Sequence, residues 1–118
     1  MVSPSLNDDV LKISAADNSS EEISIKYETL RRSVMVLRAI NHRLRQEIIK
    51  LLEENGKMTV TEIYVKLRVE QSVASQHLAI LRRAGILNTE RNGKYIQYSL
   101  NRKRIREITN FMEDIVNQ

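Results

Sequence analysis

The sequence predicts one mainly α-helical domain that carries a small β-hairpin, an α+β class, and three observations lead to it. Apolar residues recur at the three- and four-residue spacing of amphipathic helices in successive segments from residue 23 to residue 117. Asn92-Gly93 joins two runs of alternating apolar and polar residues, which is typical of a hairpin with a two-residue turn. The length of 118 residues suits a single domain with a modest core.

Residues 1–22 form a polar segment that is predicted to be a disordered tail. They are rich in Ser, Asn and Asp and contain the only proline of the chain, Pro4. Five acidic residues and one lysine give the segment a net charge of −4, and such a composition buries too little apolar surface to fold. Because the whole chain carries +4, residues 23–118 carry +8. The domain proper is therefore strongly basic.

A first helix is predicted over residues 23–38. Its apolar side chains are separated alternately by four and three residues, which is a heptad seam, although a short one for an isolated coiled coil. Such a seam packs either on its own domain or on a second subunit. Its members are Ile23, Tyr27, Leu30, Val34 and Leu37.

A second helix is expected to start at Asn41 or His42 and to end at Asn55-Gly56. The apolar residues that would face the core are Leu44, Ile48, Leu51 and Leu52.

Two further helices are predicted to form a helix-turn-helix. Thr59 and Glu62 have the spacing of a capping box, in which a hydroxyl and a carboxylate satisfy the free backbone donors of a helix start. The pattern breaks at residues 68–70 and resumes over about 71–84, before Gly85, which suits the left-handed residue that ends a helix. A short helix, a tight turn and a longer helix are typical of DNA-reading proteins.

The two sides of the 71–84 helix differ in chemistry. At about 100° per residue, Ala74, Leu78 and Leu81 share the inward side, with His77 beside them as a packed, hydrogen-bonded residue. The outward side carries small, amide or hydroxyl side chains, which can reach base edges and thymine methyl groups in a major groove. A merely solvated face would more often carry Lys and Glu. The candidate base contacts are Gln71, Ser72, Val73, Ser75 and Gln76.

The hairpin is predicted to act as a basic wing. From Arg82 to Arg106 the chain has eight Lys or Arg residues and one acid, Glu90, which suggests a surface for phosphates. Arg91 and Lys94 flank the turn and are candidates for contact with the DNA backbone or the minor groove, and Arg83 is a further candidate. The alternative is that these charges only keep the hairpin soluble.

The last helix, over about 102–117 after an Asn101 cap, has an apolar stripe that is broad for a terminal helix. We expect part of it to form a homodimer interface together with the first helix, rather than only to cover its own core. Two-fold pairing would present two reading helices one DNA turn apart, as an inverted-repeat operator requires. The candidate interface residues are Ile23, Tyr27, Leu30, Val34, Ile108, Phe111, Met112 and Ile115.

These segments, in this order, resemble the winged helix-turn-helix of the ArsR (arsenic-repressor) family of bacterial transcriptional regulators. The resemblance is carried by L-R-Q-E-I-I-K-L-L from Leu44, by Q-S-V-A-S-Q-H-L-A-I-L-R-R-A-G-I-L from Gln71, and by the wing N-G-K-Y-I-Q-Y-S-L from Asn92. It implies a dimeric protein that binds double-stranded operator DNA, usually as a repressor released by a signal. It also makes Arg45 a candidate phosphate contact, with a structural role as the alternative.

The chain departs from the sensing members of the family. Where they have paired cysteines it has Thr59 and Thr61, and it contains no cysteine at all, so thiol-based metal or redox sensing is excluded. Its last helix has acidic residues but no histidine. We therefore expect no metal and no cofactor, and the inducer, if there is one, is not identified. In addition, Gln76 stands where the family commonly has a basic residue.

The predicted function is sequence-specific DNA binding by a cytoplasmic regulator, with no enzyme activity. The sequence has no nucleophile–base pair, phosphate-binding glycine loop or metal cluster. It also has no run of about 20 apolar residues that could span a membrane, and no signal-peptide pattern. The alternatives are a winged-helix module that binds other proteins and a regulator that responds to a small organic ligand.

Overall fold

The computed structural model describes residues 9–15 and 21–117, which form five helices and five short strands. By internal contacts the chain divides into two compact units, one ending at Met35 and one beginning at Val36. The elements in chain order are β1 (Val10–Ile13), β2 (Ile23–Lys26), α1 (Tyr27–Ile40), α2 (Arg43–Asn55), β3 (Met58–Thr59), α3 (Val60–Leu67), α4 (Gln71–Arg83), β4 (Leu87–Asn92), β5 (Tyr95–Leu100) and α5 (Arg102–Val116).

The first unit contains an antiparallel hairpin that the sequence interpretation missed. Strand β1 pairs with β2, and Leu11 lies opposite Ile25. The prediction of a disordered tail is thus wrong for residues 10–13, while residues 1–8 and 16–20 of that tail lie outside the described residues. Ile23 lies in β2, not in a helix, and α1 begins at Tyr27. The reason is visible in the segment Ile-Ser-Ile-Lys, which alternates apolar and polar residues as a strand does.

The core of the second unit lies between α2, α3, α4, the wing sheet and α5. Ile48, Leu52, Ile63, Leu78 and Leu81 are fully buried, because each occupies the inward side of its helix. Helix α2 begins where His42 accepts a hydrogen bond from Leu44 N (3.1 Å) and ends at Gly56, as predicted. Ala39, from the last turns of α1, belongs to the same core, and Leu37 packs against it.

The wing is a three-stranded antiparallel sheet in the order β3-β5-β4. Strand β4 pairs with β5 from Leu87↔Leu100 to Asn92↔Tyr95, and Met58 of β3 lies opposite Tyr98. The two residues of the turn are therefore Gly93 and Lys94, one position later than predicted. Gly93 has φ 65°, and Lys94 is not among the described non-glycine residues with positive φ. A positive φ at the first central residue alone is the type II′ pattern.

Helix α5 starts as predicted, because Asn101 Oδ1 accepts a hydrogen bond from Arg104 N (3.2 Å). Its apolar stripe divides into two parts. Ile108 is only 6% exposed and Met112 packs against the core, so the prediction that Ile108 contacts a second subunit is wrong. Phe111 and Ile115 remain about half exposed, at 48% and 58%. The core of one chain thus uses only one edge of this stripe.

Candidate nucleic-acid interface

The helix-turn-helix begins with the predicted capping box on α3. Thr59 Oγ1 accepts from Glu62 N (3.2 Å), and Thr59 N donates to Glu62 Oε1 (2.8 Å). Arg68 ends α3 in the left-handed conformation (φ 57°, ψ 45°). Val69 N then donates to Tyr64 O (3.2 Å), which closes the turn before α4. The expected turn is present, although an arginine occupies the position that favours glycine.

Helix α4 separates its two sides as the sequence predicted. Ala74, Leu78 and Leu81 are completely buried. Of the five residues predicted to read bases, the four polar neutral side chains are exposed and Val73 is half-buried. Ser72 and Gln76 lie opposite the buried side, whereas Gln71 and Ser75 lie nearer to it at the start of the helix. Among the described residues of this helix, none of the large apolar side chains is exposed. The four exposed polar residues, which we call the reading face, are Gln71, Ser72, Ser75 and Gln76.

The start of α4 leaves backbone donors without a side-chain cap. Glu70 stands at the N-cap with extended geometry, but its side chain makes no capping hydrogen bond. The first backbone N–H groups of a helix and the positive end of its dipole both favour an anion. The start of α4 is thus compatible with a nearby phosphate group, although Glu70 itself is acidic.

Arg45 is held by its own chain, which differs from its predicted role as a phosphate contact. Its guanidinium donates to Ala39 O (Nε, 2.6 Å) and Arg38 O (Nη2, 3.1 Å), and Nη1 donates to His77 Nδ1 (3.1 Å). These bonds connect the end of α1 to α4 through a side chain of α2. The structural alternative is therefore the better description of Arg45.

His77 connects the reading helix to this cluster. Because a guanidinium can only donate, Nδ1 of His77 must accept, so its ring is neutral with the proton on Nε2. The His42 ring lies beside it, with the two centroids 4.6 Å apart. Burial lowers the pKa of His77 below its ordinary value of 6.5, and the electrostatic interactions of His77 with His42 and Arg45 lower it further. The sequence placed His77 inward but did not identify its partners.

The wing carries the predicted basic side chains at its tip. Arg91 and Lys94 are exposed; Arg91 Nη1 donates weakly to Gly93 O (3.4 Å), and Lys94 Nζ lies 5.5 Å from the centre of the Tyr95 ring. Glu90 is paired with Lys57 (2.6 Å), and that hydrogen bond and charge lower the pKa of the Glu90 carboxyl. The one acid of the wing is thus neutralised locally.

Further basic residues lie beyond the wing. Arg83 is exposed at the end of α4, as predicted. Arg102, Lys103 and Arg106 are exposed on α5 and were not among the predicted contacts, although the run of basic residues after Arg82 was the signal for them. In the part of the chain that the structure describes, no group of three His, Cys, Asp or Glu residues could hold a metal ion. No helix of that part is long and apolar enough to cross a membrane.

The chain is similar in sequence to known regulators. Residues 42–89 match the family model described as bacterial regulatory protein, arsR family. The chain is 33% identical over 90 residues to the uncharacterized HTH-type transcriptional regulator MJ1325 of Methanocaldococcus jannaschii, covering 76% of this chain and 98% of that protein. It is 32% identical over 83 residues to the transcriptional repressor SdpR of Bacillus subtilis, covering 70% and 91%.

The fold also has solved relatives. HlyU from Vibrio cholerae superposes with a TM-score of 0.58 at 27% identity, covering 77% of this chain and 98% of that one. The same protein is named a transcriptional activator. These similarities agree with the winged helix-turn-helix and with a DNA-binding regulator instead of an enzyme. The chain therefore belongs to the arsR family of bacterial regulatory proteins.

Proposed function

We propose that this regulator is a homodimer that recognises an inverted-repeat operator by inserting α4 into the major groove, with the wing on the flanking backbone. The observation that carries the proposal is the exposed, uncharged reading face. Amide and hydroxyl groups donate and accept hydrogen bonds at base edges, and small side chains let a helix approach the groove closely. A merely solvated helix would more often carry Lys and Glu at these exposed positions.

The basic residues around α4 supply the affinity that does not depend on sequence. Arg83, Arg91 and Lys94 are exposed, and each can neutralise a phosphate and release a counterion. Arg45 is omitted from this set because its donors are used within the chain. We expect phosphate contacts to fix the position of α4 while the reading face discriminates between bases.

Dimerisation is proposed from exposed apolar side chains on two helices. Phe111, Ile115 and Val116 of α5 are 48%, 58% and 77% exposed, so the core of their own chain does not cover them. Leu30 and Val34 of α1 are also exposed, which supports their predicted place in an interface. Tyr27 is partly buried and Met112 is largely used by its own core, so we expect smaller contributions from them.

We propose repression as the outcome of binding. SdpR, which the chain resembles along most of its length, is named a repressor, whereas HlyU is named an activator. The cytoplasm is the expected site of action, since the operator is there. A reporter gene placed behind the operator selected by the purified protein tests the sign: expression should rise when the regulator is deleted, and a fall would make it an activator.

The alternative of a protein-binding winged helix is less well supported. Such a module would present large apolar side chains on the outward side of α4, and none is exposed on the described residues of that helix.

Two substitutions test the proposed division between readout and phosphate contact. Gln76→Ala should reduce discrimination between the selected operator and a scrambled duplex, by about 1–3 kcal/mol for each half-site, with little change in nonspecific binding. Lys94→Ala should weaken binding to both duplexes alike and reduce the slope of log K against log salt by about two, because the dimer carries two copies of this lysine. The measurement is fluorescence anisotropy across a salt series. If Gln76→Ala weakened both duplexes equally, Gln76 would not be a readout residue.

A further inference from the structure

The β1–β2 hairpin has one aliphatic face that is open to solvent. The cross-strand pairs Leu11↔Ile25 and Ile13↔Ile23 alternate along the hairpin with the pair Lys12↔Ser24. Because successive side chains point to opposite faces, the four aliphatic residues share one face and Lys12 and Ser24 lie on the other. The exposed fractions of the four, which we call the aliphatic face, are 45% for Leu11, 36% for Ile25, 47% for Ile13 and 56% for Ile23.

A hairpin of this kind needs a covering partner. Two antiparallel strands alone are at best marginally stable in water, and a stable sheet needs more strands or a packed apolar face. The described sheet of the hairpin has only two strands, and its apolar side chains are exposed and not packed. Four aliphatic side chains grouped on one exposed face are more than the scattered apolar residues of an ordinary surface.

The hairpin is attached directly to the proposed dimerisation helix. Strand β2 ends at Lys26 and α1 begins at Tyr27, so no linker separates them. Tyr27 N also donates to Asp9 O (2.9 Å), which fastens the start of the helix to the beginning of the hairpin. A partner that binds the exposed residues of α1 therefore also approaches the hairpin.

The charge of this part of the chain argues against one class of partner. Residues 1–35 contain six acidic and four basic residues, a net charge of −2, whereas the rest of the chain is basic. The described residues of this segment have four acidic and four basic side chains, so they offer no excess of positive charge for the phosphates of nucleic acid or of an anionic membrane. The remaining match for an aliphatic face is another apolar protein surface.

The area also fits a second copy of the same chain. Leu30 and Val34 of α1, the helix that follows β2 directly, are also exposed, at 50% and 37%. Six half-exposed aliphatic side chains offer on the order of 500 Å² per copy, so a symmetric pair would bury about 1,000 Å², near the lower end of specific interfaces. Most homo-oligomers pair the same patch on both subunits.

We infer that the aliphatic face of the β1–β2 hairpin packs against a second copy of this chain and extends the proposed dimer interface beyond the helices. This inference rests on the proposed dimer and assigns a role to a segment outside the 42–89 match to the family. The hairpin would thus help to set which copies of the chain can pair.

The absence of cysteine from the sequence makes a direct test possible. Ile25→Cys places a single thiol on the aliphatic face, and Ser24→Cys places one on the opposite face as the matched control. Mass photometry and sedimentation first give the dimer dissociation constant of each variant. The rate of maleimide labelling is then measured at protein concentrations below and above that constant. We expect the Ile25→Cys thiol to be labelled at least about tenfold more slowly above that constant than below it. The Ser24→Cys thiol should be labelled equally fast at both concentrations.

The possible contrary results are distinct. If Ile25→Cys is protected equally at every concentration, its own chain covers the face and the inference is wrong. If it is labelled as fast as Ser24→Cys while the protein is dimeric, the face is uncovered and the inference fails although the dimer stands. A protein that stays monomeric at all concentrations overturns both the inference and the proposed dimer.

A second pair of variants checks the energetic contribution. The double variant Leu11→Thr, Ile25→Thr removes apolar contact but keeps residues that favour strands. The control double variant Lys12→Thr, Ser24→Thr introduces two threonines on the other face. We expect the first pair to raise the dimer dissociation constant roughly 100-fold and the second to leave it within about threefold. Equal dissociation constants for the two pairs would contradict the inference.

Discussion

His77 illustrates at the scale of one residue how the reading helix is joined to the rest of its unit. Its side chain is on the inward side of α4, next to the reading-face residue Gln76, and its Nδ1 accepts from a guanidinium. Arg45 provides that donor while it also binds two backbone carbonyls at the end of α1. The hydrogen bond that joins α4 to Arg45 therefore requires a neutral histidine.

This arrangement predicts that stability falls in mildly acidic solution. Protonation of His77 would place a positive charge against Arg45 and beside His42, which is why the pKa of His77 is lowered. A lowered histidine pKa means that the folded state binds fewer protons than the unfolded state. Its contribution is fully present above the ordinary value of 6.5 and is lost as the pH falls from there toward the lowered pKa.

Urea unfolding between pH 8 and pH 5.5 measures this effect. His77→Asn keeps a hydrogen-bond acceptor for Arg45 but cannot be protonated, so its stability should fall less over the interval than that of the wild type. Glu90 does not interfere, because its lowered carboxyl pKa affects stability only below its ordinary value of 4.5. Identical pH profiles for the two proteins would show that His77 does not titrate on unfolding.

The sequence could place these residues but could not pair them. The 3.6-residue period assigns His77 to the inward side, and the position of His42 before an apolar-periodic segment predicts a helix start. Arg45 and His77 are 32 positions apart, and their contact depends on how α2 packs against α4. No local pattern carries that information, so the sequence alone cannot distinguish a phosphate contact from a structural role for Arg45.

At the scale of elements, the turn between α3 and α4 contains the main local conflict. Arg68 is the one non-glycine residue with positive φ among the described residues. The left-handed conformation brings Cβ close to the backbone and costs about 1–2 kcal/mol for a residue other than glycine. The packing of Ile63 and Leu78, which are completely buried on either side of the turn, offsets this cost.

Arg68→Gly should therefore increase the free energy of unfolding. The relief of the left-handed strain is partly cancelled by the greater freedom of glycine in the unfolded chain, which leaves a gain of about 0.5–1 kcal/mol. Arg68→Ala is the matched control, since it removes the charge and the long side chain but keeps Cβ. Chemical denaturation should show a gain for glycine alone. An equal gain for alanine would mean that the charge, not the backbone, is responsible.

Elements were predictable where the signal was local. The capping residues Thr59 and Asn101 and the glycine at 56 define helix ends through bonds within a few residues, and α2 to α5 agree closely with expectation. The β1–β2 hairpin was missed because a polar, acidic composition outweighed two four-residue strand patterns. The seam that began at Ile23 fitted a helix as well as a strand, and only the pairing of Ile23 with Ile13 distinguishes them.

At the scale of the whole molecule, charge and apolar surface are distributed over different segments. Residues up to 22 carry a net charge of −4 and the remainder +8. Many exposed basic residues follow the reading helix in sequence, from Arg82 to Arg106, while most of the large exposed aliphatic residues lie on the N-terminal hairpin, α1 and the second half of α5, with Val65 and Ile96 as exceptions. Such a distribution suits a protein that binds a polyanion with one part of its surface and a protein with another.

Dimerisation and DNA binding should therefore be separable by substitution on α5. Phe111 and Ile115 are about half exposed and one turn apart, so Phe111→Ser with Ile115→Ser removes apolar contact without touching the core residue Ile108. Thr109→Ser, at an exposed polar position of the same helix, is the control. Sedimentation should show a monomer for the double variant and a dimer for the control.

Operator binding by the monomer follows from the symmetry of the site. A single copy offers one reading helix and about half of the phosphate contacts, so its affinity should fall and its salt slope should be about half that of the dimer. The affinity of one copy of the double variant for a half-site duplex should equal that of one copy of the wild type, because the reading face and the wing are intact. If the double variant were monomeric yet bound the full operator with the original salt slope, one chain would suffice for recognition, and the two-fold arrangement of reading helices would be wrong.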